Sequence, residues 1–293
     1  MRIAAVLLLA LFPAFCGQVL AAGSSLPVSI VYDDGNVAWE HANILSKELE
    51  GRGIAAGDIE LLRVSDSLQK RSIVVAVGAG ALKKVPAGGS PGWVGLMIPR
   101  ATIEAMSELP ENGVVIVMDQ PLKRILDLVK IGLPGRSRVG VLASSSSMPW
   151  LRQQKRLAAE RGFEFSVETA TAESMPKVLD GLLPYSDILL ALPDSGIHNR
   201  NTVPLILLAS YRLGVPVVAY SESYLNAGAI LTLYSTPAQT ARQAATMVMD
   251  ILRGKPTLGI VEPVEFRVGV NDRVARSLGI SLPPAAELEA KLR

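Results

Sequence analysis

From Pro27 onward, short β-branched and apolar runs alternate with stretches whose apolar positions recur at helical spacing, the pattern of βαβ units on a parallel sheet. Val28-Ser29-Ile30-Val31-Tyr32 predicts a first strand. Asp33-Asp34-Gly35-Asn36 predicts the turn that opens a helix running to about Leu49, which Gly51 and Gly53 stop. Ile59 to Val64, Ser72 to Val77, Trp93 to Ile98 and Val114 to Met118 predict four more strands, with short helices after Gly80 and Pro99. Together they make one α/β lobe.

A second series repeats the first. Gln120-Pro121 opens a helix through Ile131, and strands are predicted over Arg138 to Leu142, Phe163 to Glu168, Asp187 to Ala191, Val215 to Tyr220 and Gly228 to Tyr234. Helices are predicted over Pro149 to Arg161, Pro176 to Leu183 and Asn201 to Leu213. A long amphipathic helix, Pro237 to Arg253, a strand, Val264 to Val270, and a small helix, Asp272 to Leu278, are surplus to a self-contained second lobe. No Gly-, Ser- or charge-rich linker separates the halves, so short rigid hinges that the chain crosses several times are expected. The predicted division is residues 27–119 plus about 235–255 in the first lobe and 120–234 plus about 256–293 in the second.

The amino terminus changes the picture. Met1-Arg2-Ile3, the apolar run Ala4 to Phe15 and Gly17-Gln18-Val19-Leu20-Ala21-Ala22 have the layout of a secretory signal peptide, residues 1–22, so a periplasmic mature chain is expected. The apolar run of about a dozen residues is short of the roughly 20 that span a bilayer, so no stable membrane insertion is expected after cleavage. The single cysteine, Cys16, lies in this segment, and Phe15 before it disfavours a lipid anchor. With Cys16 removed, a disulfide framework and thiolate metal sites are excluded. A formal net charge of +2 with no Lys/Arg cluster argues against nucleic acid. At 49% hydrophobic residues, the chain can bury the two cores that its length favours.

The carboxy-terminal half carries a family likeness. Gly214-Val215-Pro216-Val217-Val218, Gly228-Ala229, the stretch Tyr234 to Arg253, Gly254-Lys255-Pro256, Asn271 and Leu278-Gly279-Ile280 resemble the ABC-transporter substrate-binding proteins of the aromatic-amino-acid type. Leu192-Pro193-Asp194, Asn199 and Asn201-Thr202 are similar to that family as well. The likeness covers residues 138–283. Residues 27–121 share the layout only: the family's first-lobe Asp-Pro pairs are absent, and Ile98-Pro99-Arg100 stands in one of those places. The resemblance implies a periplasmic binding-protein type I fold: two doubly wound parallel-sheet lobes around a cleft. It also implies a small-molecule ligand, amino-acid-like or aromatic, delivered to a membrane permease with its ATPase.

In open α/β sheets ligands settle outside the carboxyl ends of the strands, so the loops there supply the candidates. Asp34, Gly35 and Asn36 end the first strand and could accept from a ligand ammonium, with Trp39 stacking on a ring. An Asx turn and cap with Trp39 packed on the sheet serves equally. Ser145, Ser146 and Ser147 precede a helix start and could bind an anion, or merely cap the helix. Gly78-Ala79-Gly80 reads as a tight turn, since neither a Walker motif nor a dinucleotide fingerprint is present. Asp194, with His198, Asn199 and Thr202, lies in a segment that faces the ligand in the resembling family. Glu222 between Tyr220 and Tyr224 suits an organic cation, or else is a helix start capped by Ser221 with packed tyrosines.

Metal hydrolysis and Ser-His catalysis lack their residues, and a carboxylate-only hydrolase built on Asp33-Asp34 and Asp194 is the least favoured reading. His41 and His198 are the only histidines, and no HExxH, GxSxG or paired-Cys arrangement exists. No catalytic group, metal or cofactor is expected. A ligand sensor or scaffold of the same fold, without a dedicated permease, is the alternative to a transport receptor.

Overall fold

Two six-stranded sheets collect the apolar runs of the sequence. The computed structural model describes residues 26–68, 71–88 and 90–293; the expected signal peptide lies outside them. Five strands form first: β1 (Val28–Tyr32), β2 (Ile59–Arg63), β3 (Ile73–Val77), β4 (Trp93–Ile98) and β5 (Gly113–Val117). Between them lie the helices α1 (Asn36–Gly51), α2 (Ala79–Leu82) and α3 (Arg100–Glu104). Helix α4 (Leu122–Gly132) leads to β6 (Arg138–Ala143), α5 (Met148–Glu160), β7 (Glu164–Thr169), α6 (Met175–Leu182) and β8 (Ile188–Leu190). Then come α7 (Val203–Arg212), β9 (Val217–Ala219), α8 (Glu222–Ala227) and β10 (Leu231–Tyr234). The last section holds α9 (Pro237–Leu252), β11 (Gly259–Val261), β12 (Arg267–Val270), α10 (Asp272–Ser277) and α11 (Ala285–Leu292).

The first sheet has the order β11-β5-β4-β3-β1-β2 and the second β12-β10-β9-β8-β6-β7. All neighbours are parallel except β10 and β12, and the two orders follow the same plan. Parallel strands covered by helices on both faces read as continuous apolar runs. β1, β3 and β5 accordingly bury every residue. Helix α9 packs against α1 and β4, which puts it in the first lobe. It starts at a capping box, with Thr236 Oγ1 accepting from Gln239 N and Gln239 Oε1 accepting from Thr236 N, and Pro237 fills a position that needs no N–H.

The sequence expectations miss three details here. β11 pairs with β5 from Gly259 opposite Val114, so residues 259–261, expected in the second lobe, are a strand of the first sheet. An edge strand of three residues, two of them exposed, leaves no legible alternation. β10 starts at Leu231 rather than Gly228, because Gly228, at φ 135°, ends α8. Helix α11, not anticipated after Pro284, buries Leu288 against the second-lobe core.

The chain crosses between sheets after β5, between β10 and α9, and between β11 and β12. These crossings are tied laterally. Gln120 Nε2 donates to Ser235 Oγ over 2.8 Å, Ser235 Oγ donates to Glu265 O over 2.5 Å, and Arg124 donates to Gln120 Oε1 and Pro263 O. The apolar cores of the two lobes share no residue, so each lobe can move as a body about this tied strip.

Candidate functional site

Next to the crossings, a cavity of about 360 Å³ opens between the lobes. The first lobe contributes Val37 and His41 from α1, Met97 from β4 and Met118 after β5; the second contributes Tyr220 and Glu222. Tyr234 and Ser235 close the hinge side. Its charged lining is acidic, Glu40 and Glu222, with no Lys or Arg among the lining residues. His41 does not offset that charge: burial lowers its pKa, and Nδ1 lies 2.8 Å from Val37 O, which fixes the ring on its own helix. The cavity therefore suits a molecule with an apolar body and a positive end.

Deeper in the cleft, two carboxyl groups come from opposite lobes. Asp119 follows β5 and is 3% exposed; Asp194 follows β8 and is 5% exposed. Asp119 Oδ2 accepts from Arg100 N over 2.7 Å. Burial pushes Asp119 up to about 6, against the Arg100 bond and charge, and Asp194 adds to the rise. Among the described residues, neither acid forms an ion pair within 4.0 Å. Tyr220, His198 and Tyr224 form a ring cluster beside them, with centroids 5.6 to 5.9 Å apart and tilted or edge-on geometry. Burial lowers His198 to about 4, so its ring is neutral at pH 7; Nδ1 lies 3.2 Å from Tyr224 Oη, and Nε2 is buried with no partner. Burial also raises Tyr220 to about 12, helped by Asp194 and Asp119, so its hydroxyl keeps its proton and can donate.

The expected residues divide among several places. Asp34, Gly35, Asn36 and Trp39 line a separate cavity with Tyr32 and Arg63 at the edge of the first sheet, and Trp39 is 51% exposed. Their neighbour Asp33 turns inward, its carboxylate accepting from Gly80 N and Ala81 N at the start of α2. That contact needs glycine at 78, where φ is 109° and a Cβ would fall 2.4 Å from Asp33 Oδ2. Ser145 is exposed and Ser146 half-buried, whereas Ser147 is buried and donates to Asp194 Oδ2. Asn199 Oδ1 accepts from Asn201 N and Thr202 N, and Thr202 Oγ1 donates to Ile197 O, so both residues shape the turn before α7. Ser221 accepts from Tyr224 N and begins α8, which buries Tyr224 and leaves Glu222 at the cavity. Glu222 thus lines the interlobe cavity, and Asp194 lies in the deeper cluster with Tyr224.

With the geometry in hand, comparisons with known proteins show the family. The sequence pattern of the family described as "ABC transporter substrate binding protein" matches residues 102–291 of the 293. The chain belongs to this family. No curated protein matches it in sequence. Among solved structures, an ABC domain from Streptococcus pneumoniae in complex with L-Trp superposes with a TM-score of 0.66 at 13% identity, covering 91% of this chain and 98% of that one. A ligand-free, open substrate-binding protein with adhesive properties from Clostridium difficile gives 0.66 at 15% identity, over 88% and 96%. A conserved domain protein from Vibrio cholerae gives 0.64 at 19% identity, over 90% and 98%. These likenesses show the fold: the two-lobed α/β architecture of type I periplasmic binding proteins.

As a substrate-binding protein of the ABC transporter family, the chain has its cleft where the sheets end and the crossings meet. Asp119 escapes the sequence reading because the stretch before Gln120-Pro121 reads as a lobe boundary, and Met97 and Met118 because they lie in runs read as strands. Applying the strand-end rule to the loop after β5 as well would reach Asp119. Among the described residues, no group of three or more His, Cys, Asp or Glu side chains is placed to hold a metal, and no helix is long and apolar enough to cross a membrane.

Proposed function

We propose that the protein is a periplasmic receptor that closes on a small solute with a protonated amine and an apolar or aromatic body, and delivers it to an ABC-type permease. The observation that carries the reading is the charge of the cleft: Glu40 and Glu222 line the cavity without a basic partner among the lining residues. Asp119 and Asp194 extend that charge inward from both lobes. A buried carboxylate without a counter-ion is unfavourable, and a ligand ammonium between the lobes relieves the cost while drawing them together. Tyr220 and Tyr234 offer faces for an apolar or aromatic body and for the cation itself. Asp119, Asp194, Tyr220 and Glu222 lie within residues 102–291, the stretch matched by the family, whereas Glu40 lies outside it.

A thermal-shift panel on the mature chain tests this reading. Amino acids, polyamines and aromatic amines should raise the midpoint, because a ligand that binds only the folded state stabilises it; the same skeletons without the amine should not. Stabilisation by carboxylates or neutral sugars alone would overturn the charge argument. Delivery is tested separately, by solute uptake in cells with and without the protein.

A further inference from the structure

We propose that Arg100 and Trp150 form a latch between the lobes, engaged in the closed form, that sets how readily the cleft opens. Arg100 begins α3 in the first lobe, and its backbone is fixed by the bond from its N–H to Asp119 Oδ2. Its guanidinium reaches out of that lobe. The Cζ lies 5.3 Å from the centre of the Trp150 ring, on α5 of the second lobe, and Nη2 pairs with Glu262 Oε1 at 3.2 Å on the third crossing. Trp150 packs against the second-lobe core, so it is a firm platform. Among the described residues, every other hydrogen bond, ion pair or ring contact that joins the lobes runs through the crossings. Arg100 on Trp150 is thus the contact that a hinge rotation must break.

The balance of the contact suits a latch rather than a weld. The Arg100 side chain is 14% exposed, and the ring face and Glu262 both favour its charge. Its Nε, however, is buried with no partner, a cost that opening to water removes. Gain and cost oppose each other, which leaves open and closed forms close enough in free energy for a solute to tip them. Arg100 also bears on Asp119 through its backbone N–H and its charge, so the latch is tested without solute, where it stands or falls apart from the amine reading.

Interlobe distances in the mature chain, free of added solute, test it. No cysteine occurs after Cys16, so Lys84→Cys on the first lobe and Lys155→Cys on α5 accept nitroxide labels without competition. A short-distance population is expected in the parent. Arg100→Ala should lower that population about threefold, Trp150→Leu should do the same, and the double variant should add little to either, as for one shared cation–π contact. Arg100→Lys should fall between. Circular dichroism and unfolding midpoints confirm that each variant is folded, and Trp150→Leu keeps the test alive if Arg100→Ala is not. A parent with no short-distance population, or folded variants with the parent's distribution, would overturn the latch.

Discussion

Ser147 Oγ donates to Asp194 Oδ2 over 2.5 Å, at the place where the loop after β6 meets the loop after β8. Ser144 N donates to the same oxygen over 2.8 Å, and Gly196 N donates to Oδ1 over 3.0 Å. Three of the roughly four acceptor positions of the carboxylate are thus occupied by its own lobe. Asp194 ties two cleft loops together, and its charge reaches the cleft chiefly through its effect on Asp119, Tyr220 and His198.

Asp194→Ala should therefore destabilise the fold by about 3 kcal/mol, because three donors lose an ionised acceptor in a buried site. Asp194→Asn should cost less, since one amide oxygen can still accept. Urea unfolding of the two variants measures this. An alanine variant as stable as the parent would show that the tie is dispensable.

Asp119 and His198 should give opposite pH dependences of stability. Asp119 titrates at 3.8 when unfolded and about 6 when folded, so the folded state holds the proton more tightly. Its burial costs nothing below 3.8, and the cost grows as pH rises to about 6, reaching about 3 kcal/mol at pH 7. His198 falls from 6.5 to about 4 on folding, so its cost is absent above 6.5 and grows as pH falls towards 4, again by about 3 kcal/mol. Between pH 4 and 6.5 the two slopes oppose each other. Asp119→Asn should stabilise the protein at pH 7.5 far more than at pH 4.5, and His198→Gln should fare better, relative to the parent, at pH 4.5. Identical offsets at both pH values in urea unfolding would contradict the assignments.

How much of this was legible in the sequence depends on the length of the signal. The strands β1, β3, β4 and β6 follow from runs with four or more consecutive buried residues, nearly all of them apolar, and the repeated βαβ order gives two lobes. The short β11 offered no such run. In the site, residue type pointed to Asp194 and Glu222, but the partner that each carboxylate prefers depends on backbone amides far along the chain, such as Gly80 N for Asp33. Asp119 was hidden for another reason: its burial arises only when the first crossing folds against Arg100.

Thr236 caps the helix that returns the chain to the first lobe. Thr236→Ala should cost about 1 kcal/mol in urea unfolding, and Thr236→Ser should restore most of it. Equal stability of the alanine and serine variants would mean that the capping box contributes nothing at this crossing.

The most direct test of the central claim is calorimetric titration of the best amine from a ligand panel into the parent and into Asp119→Asn at pH 7.5, repeated with the parent at pH 5. The parent should bind measurably, Asp119→Asn at least tenfold more weakly, and the parent more weakly at pH 5, where Asp119 holds a proton that a cation must displace. Binding that is indifferent to both the substitution and the pH, or the lack of any amine that binds, would contradict an acidic cleft built to hold a cation.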